Sequence, residues 1–133
     1  MSFYTPSRSS ILRVALTTLV LATLPLAAHA ATARFVVRVE STKPNGQNWD
    51  AGYADMVLPD IEVAVAGSPG VWLCQDDTRC ETDSIEVPEG SIIVTVFDAD
   101  LSMKDSIGKA RCTSDTRSCA VTEGPSLLSV EMR

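Results

Sequence analysis

Short apolar runs separated by turn residues recur along this chain beyond residue 30, and no long segment there carries a helical apolar period. The strongest run, Ile92-Ile93-Val94-Thr95-Val96-Phe97, is rich in β-branched residues that suit a pleated surface and reads as a central strand. Around it stand Phe35-Val36-Val37-Arg38-Val39, Ile61-Glu62-Val63-Ala64-Val65, Val71-Trp72-Leu73-Cys74, Ser84-Ile85-Glu86-Val87, Lys109-Ala110-Arg111-Cys112, Cys119-Ala120-Val121-Thr122 and Leu127-Leu128-Ser129-Val130-Glu131. Gly67-Ser68-Pro69-Gly70 and Pro88-Glu89-Gly90 supply turns between them. About eight short strands of this kind predict an all-β fold, an antiparallel β-sandwich. If consecutive strands alternate in direction, the connections 41–60, 74–80 and 98–107 share one end of it, and 67–70, 88–90 and 112–119 share the other.

Residues 1–30 read as a removable export signal. Arg8 and Arg13 give a positive start, the run from Val14 to Ala28 is mostly apolar, and Ala28-His29-Ala30 fits a small-x-small cleavage site. The run is short for a bilayer, which needs about 20 apolar residues. The expectation is a single domain over 31–133, exported to the periplasm or secreted. Removing 30 of 133 residues leaves 103, enough for a modest core. All 17 acidic residues lie in that part, against nine of the 11 Lys and Arg, so its net charge is near −8. Such a balance disfavours nucleic acid, which needs a basic face, and simple basic-patch attraction to anionic lipid. A bound divalent cation would partly reverse the second objection.

The one histidine, His29, leaves with the signal, which removes Ser-His-Asp and Cys-His chemistry and histidine-containing zinc sites. Cys74, Cys80, Cys112 and Cys119 remain. Export makes disulfides the default. Of the three pairings, the two local ones, Cys74 with Cys80 and Cys112 with Cys119, suit bridges across tight loops. A four-cysteine zinc site is the rival, but its intervals would be longer than usual. No Cys-x-x-Cys redox motif is present.

Aspartates gather beside two of the strand-like runs. Asp50 and Asp60 flank one connection, and Val96-Phe97-Asp98-Ala99-Asp100 is followed by Asp105-Ser106-Ile107-Gly108. Two carboxylates about 4 Å apart repel by roughly 4 kcal/mol at an effective dielectric near 20. A cation relieves that repulsion, and an all-oxygen cage favours a hard ion such as calcium. An EF-hand read from Asp98 fails, because Met103 stands where glycine is required and Lys109 where glutamate is required. The bland alternative is that Asp98 and Asp105 only shape a loop, neutralised by Lys104. Asp55, Asp76 and Asp77 read as solvated loop charges rather than ligands.

These two segments resemble a C2 domain, the calcium- and phospholipid-binding β-sandwich. In that family a first-loop Asp precedes a strand opening Asp-Pro-Tyr-Val-x-Val, matched here by Asp60-Ile61-Glu62-Val63-Ala64-Val65, with Ile61-Glu62 where the family has Pro-Tyr. The family's third loop follows Val-x-Asp-x-Asp and carries a further Asp shortly before Ile-Gly, as Asp98, Asp100, Asp105 and Ile107-Gly108 do. The resemblance implies Ca2+ as cofactor, with Asp50, Asp60, Asp98, Asp100 and Asp105 as ligands. It also implies that apolar loop tips, here Tyr53, Met56, Val57, Leu101 and Met103, meet a phospholipid surface or a protein partner. Alternatively, Val57, Leu58 and Leu101 fold back as core plugs. Trp49 and Trp72 read as core or loop-anchoring residues.

The leading expectation is an exported, monomeric, disulfide-stapled calcium-binding module without enzymatic activity, docking through its acidic end. A metal-independent protein-interaction module of the same fold is the second. A small carboxylate-dependent glycan hydrolase is the third, with little room for a cleft.

Overall fold

The computed structural model describes residues 31–50, 57–100 and 103–133. The expected signal, together with Tyr53, Asp55, Met56 and Leu101, lies outside the described residues. Within them the chain is all-β and entirely antiparallel. Its ten strands are β1 (Ala31–Ala33), β2 (Phe35–Val39), β3 (Ile61–Val65), β4 (Val71–Cys74), β5 (Arg79–Glu81), β6 (Ile85–Val87), β7 (Ser91–Ala99), β8 (Lys104–Thr113), β9 (Ser118–Glu123) and β10 (Leu127–Met132). One sheet has the order β4-β3-β7-β8-β9 and another β10-β2-β5, while β1 pairs with β6.

The period of two along each strand builds the core. Phe35, Val37 and Val39 of β2, Ile61, Val63 and Val65 of β3, and Ile92, Val94 and Val96 of β7 are buried in one cluster with Leu127, Val130 and Met132 of β10. Both larger sheets therefore contribute to one apolar interior, a sandwich-like arrangement. Burying each such side chain contributes about 1.5–3 kcal/mol. The disulfide Cys74–Cys80 ties β4 of one sheet to β5 of the other, and Cys112–Cys119 links directly opposed residues of β8 and β9. Closing loops this short contributes about 2 kcal/mol each in the chain-entropy account.

Two strands exceed the sequence expectation. Only Arg34 separates β1 from β2, and the β1–β6 pair prolongs the β2–β5 pair: Thr82 N–H donates to the Phe35 carbonyl and Phe35 N–H to Thr82 Oγ1. The chain thus crosses 79–87 without reversing, so alternation still places the connections as expected. Ile61 pairs with both Cys74 and Asp98, and Val39 N–H donates to the Thr78 carbonyl, which gathers 40–50, 57–60, 75–78, Asp100 and Met103 at one end. At the other end Ser114 N–H donates to the Gly90 carbonyl.

The acidic segment 98–107 differs from the expected loop. The β7–β8 ladder continues through Asp98↔Asp105 to Ala99↔Lys104, leaving only 100–103 as connection. Ile107 is the extra residue of a bulge between the pairs Val96↔Gly108 and Phe97↔Ser106, and it is buried. Beside it the β9–β10 turn places Gly124, at φ 92°, directly on Gly108. A Cβ on Gly124 would enter the backbone of Ile107 and Gly108. Gly124→Ala should destabilise by about 2–4 kcal/mol in urea unfolding. Gly46→Ala, at φ 81° with nothing near, should cost about 1 kcal/mol.

Candidate cation site

The first connection opens as a small hairpin. Thr42 pairs with Asn48, Lys43 N–H donates to the Gln47 carbonyl at 2.8 Å, and Gly46 N–H to the Lys43 carbonyl at 2.9 Å. Trp49 follows, 4% exposed, its indole N–H donating to the Glu40 carbonyl at 3.0 Å. This is the anchoring role expected of it, and it fixes where Asp50 emerges.

Asp98 is the centre of the site. The inward row of β7 runs Ile92, Val94, Val96, Asp98, so strand alternation sends this carboxylate where the previous three positions send apolar side chains. Asp98 is fully buried. Its Oδ1 accepts the Asp60 N–H at 2.9 Å, and its Oδ2 has no hydrogen-bond partner among the described residues. One carboxylate oxygen from each of Asp50, Asp98 and Asp100 lies within 4.8 Å of the others.

Asp60 braces this group from the side. Its carbonyl accepts the Ala99 N–H at 2.8 Å, and its Oδ1 accepts the Asp76 N–H at 2.7 Å. Asp76 in turn accepts the Leu58 N–H at 3.1 Å, and Asp77 N–H donates to the Pro59 carbonyl at 3.1 Å. Asp76 sits at φ 47° inside the loop closed by Cys74–Cys80. Read from sequence as a solvated loop charge, Asp76 is a bracket between that loop and 58–60. The signal for it was its place between two bridging cysteines, since aspartate tolerates the left-handed region and bonds nearby amides.

The remaining predicted residues are placed differently. Asp105, opposite Asp98 in the ladder, forms an ion pair with Lys43 at 3.2 Å and is not one of the three converging carboxylates. Lys104 pairs with Glu62 at 2.6 Å, so it does not serve as the neutralising partner considered for Asp98 and Asp105. Met103 is 71% exposed at the hairpin tip, whereas Val57 is half-buried. Trp72 packs half-buried against the core.

Electrostatics follow from this crowding. The Asp50 carboxyl is pushed up to about 6, first by burial, then by its hydrogen bond with Asp100 and by the charges of Asp98, Asp100 and Asp60. Burial also raises Asp98, against the lowering effect of the Asp60 amide. Carboxylates alone, with no imidazole or thiol among them, suit a hard cation. The orphaned Asp98 oxygen has the chemistry to receive one.

Two outcomes follow for the cation-free protein. Folded Asp50 keeps its proton to about pH 6, against 3.8 for the ordinary group, so the folded state binds more protons in that window. Stability should therefore fall as pH rises from about 4 to about 6, read by urea unfolding in EDTA. Glu81 and Glu131, lowered by Arg79 and Arg133 respectively, act in the opposite sense only below the ordinary value of 4.5. Asp98→Asn, which keeps the acceptor for Asp60 and removes a charge, should raise cation-free stability at pH 7 by about 1 kcal/mol. A loss instead would mean that the ionised carboxylate supports the fold. Comparison with known proteins finds no matching family model, no matching curated protein and no matching solved structure.

Proposed function

We propose that this chain is an exported calcium-binding module, C2-like in architecture, that docks to a phospholipid surface or a partner protein through its acidic end. The observation that carries this reading is Asp98: a fully buried carboxylate with one oxygen unpartnered among the described residues, facing two further carboxylates. A buried polar group left unpaired costs about 1–3 kcal/mol, a cost that a ligand would remove. Calcium takes six to eight oxygens in flexible geometry, to which Asp50 of the first connection, Asp98 of β7 and Asp100 just after it can contribute. Magnesium demands a stricter octahedron and keeps its waters. Two disulfides are compatible with an exported protein, and among the described residues no helix is long and apolar enough to cross a membrane.

Docking draws on the same end. Met103 is exposed next to Lys104, the ladder partner of Ala99, and a bound divalent ion offsets the negative charge that would otherwise repel an anionic surface. Val71 and Leu73, 57% and 51% exposed on the edge strand β4, favour the second reading, a partner held through the sheet and independent of metal. Chelation separates the two, because docking through the acidic end is lost in EDTA and docking on β4 is retained.

Calcium titration of the purified, oxidised protein by calorimetry should show saturable uptake that the paired change Asp98→Asn with Asp100→Asn abolishes while the melting curve stays cooperative. At about 100 times the dissociation constant, calcium should stabilise by roughly 2.7 kcal/mol. That corresponds to about 10–20 °C in Tm for a domain of this size. Uptake unchanged in the double variant would exclude the site.

A further inference from the structure

Lys43 brings a positive charge to the carboxylate end from the 42–48 hairpin. Its ammonium lies 3.2 Å from Asp105 Oδ2 and 5.6 Å from the centre of the Trp49 ring, with the side chain only 26% exposed. Asp105 stands directly across the β7–β8 ladder from Asp98, yet the oxygens that converge belong to Asp50, Asp98 and Asp100. The ion pair thus occupies the one carboxylate on β8 that neighbours the cluster in the ladder.

We propose that Lys43 sets the cation affinity of the Asp50–Asp98–Asp100 cluster, its tethered ammonium engaging Asp105 as an internal ion pair and opposing a divalent ion beside it. This rests on the calcium reading above and adds how the affinity is regulated. A like charge fixed near a bound divalent ion weakens its binding. Removing that charge also releases Asp105 to add negative potential, or an oxygen, to the cluster. The competing role for the same contact is mechanical. A Lys43–Asp105 link that merely clamps the 42–48 hairpin to β8 would hold Asp50 in place, and breaking it would weaken binding. The two roles give opposite signs.

Calorimetric calcium titrations of the wild type, Lys43→Met, Lys43→Arg, the double variant Lys43→Met with Asp105→Asn, and Asp98→Asn decide between them, each checked by thermal unfolding. Lys43→Met should bind calcium about three- to tenfold more tightly. The double variant, which removes a neutral pair, should return to within about twofold of the wild type, as should Lys43→Arg, which keeps the charge. Binding that is weaker than or equal to the wild type in Lys43→Met would overturn the inference. If the wild type binds calcium and Asp98→Asn does not, that failure touches Lys43 alone. Absence of uptake in both the wild type and Lys43→Met would remove the calcium reading and this inference together.

Discussion

Strand alternation at a single position governs the acidic end of this fold. In β7 the inward row passes from Ile92 through Val94 and Val96 to Asp98 without a break in period, so a carboxylate takes a place that geometry assigns to the core. The ladder to β3 on one side and β8 on the other pins that register, through Ile61↔Asp98 and Asp98↔Asp105. A one-residue slip would turn Asp98 outward and bury Phe97, at the cost of the whole apolar row. The hydrophobic core thus enforces the burial of a charge that is itself unfavourable.

The neighbouring connections answer that constraint in part. Asp60 satisfies one Asp98 oxygen from its backbone amide, and Asp76 holds Asp60 in turn from inside the Cys74–Cys80 loop. Trp49, buried and bonded to the Glu40 carbonyl, delivers Asp50 from the other side. Apolar burial, one inter-sheet disulfide and a chain of side-chain-to-backbone bonds therefore converge on the same carboxylate, while its second oxygen has no partner among the described residues. A buried polar group left unpaired calls for an explanation, and a bound ion is the one on which the calcium reading rests.

Much of this was readable from the residues because it depends on local pattern. Period-two runs located eight of the ten strands, and short cysteine intervals located both bridges. What escaped depends on partners distant in sequence. β5 is only Arg79-Cys80-Glu81, whose composition signals no strand; it forms because β2 offers it a backbone edge. β1 is an Ala-Thr-Ala segment that pairs with β6 for the same reason. Asp98 and Asp105 looked like loop residues because aspartate favours turns, but pairing with β3 and β8 overrides that preference. Of the five aspartates singled out, Asp50, Asp98 and Asp100 converge and Asp60 supports them. Asp105 is held by Lys43, a residue 62 positions away that no local pattern could connect to it.

The most direct measurement is a crystal structure of the oxidised protein soaked in calcium, with anomalous scattering used to locate the ion. The expected result is one calcium 2.3–2.6 Å from Asp98 Oδ2, with oxygens of Asp50 and Asp100 completing part of its shell. Crystals at saturating calcium with no ion at Asp98 Oδ2, or with ions only on exposed carboxylates elsewhere, would contradict the account.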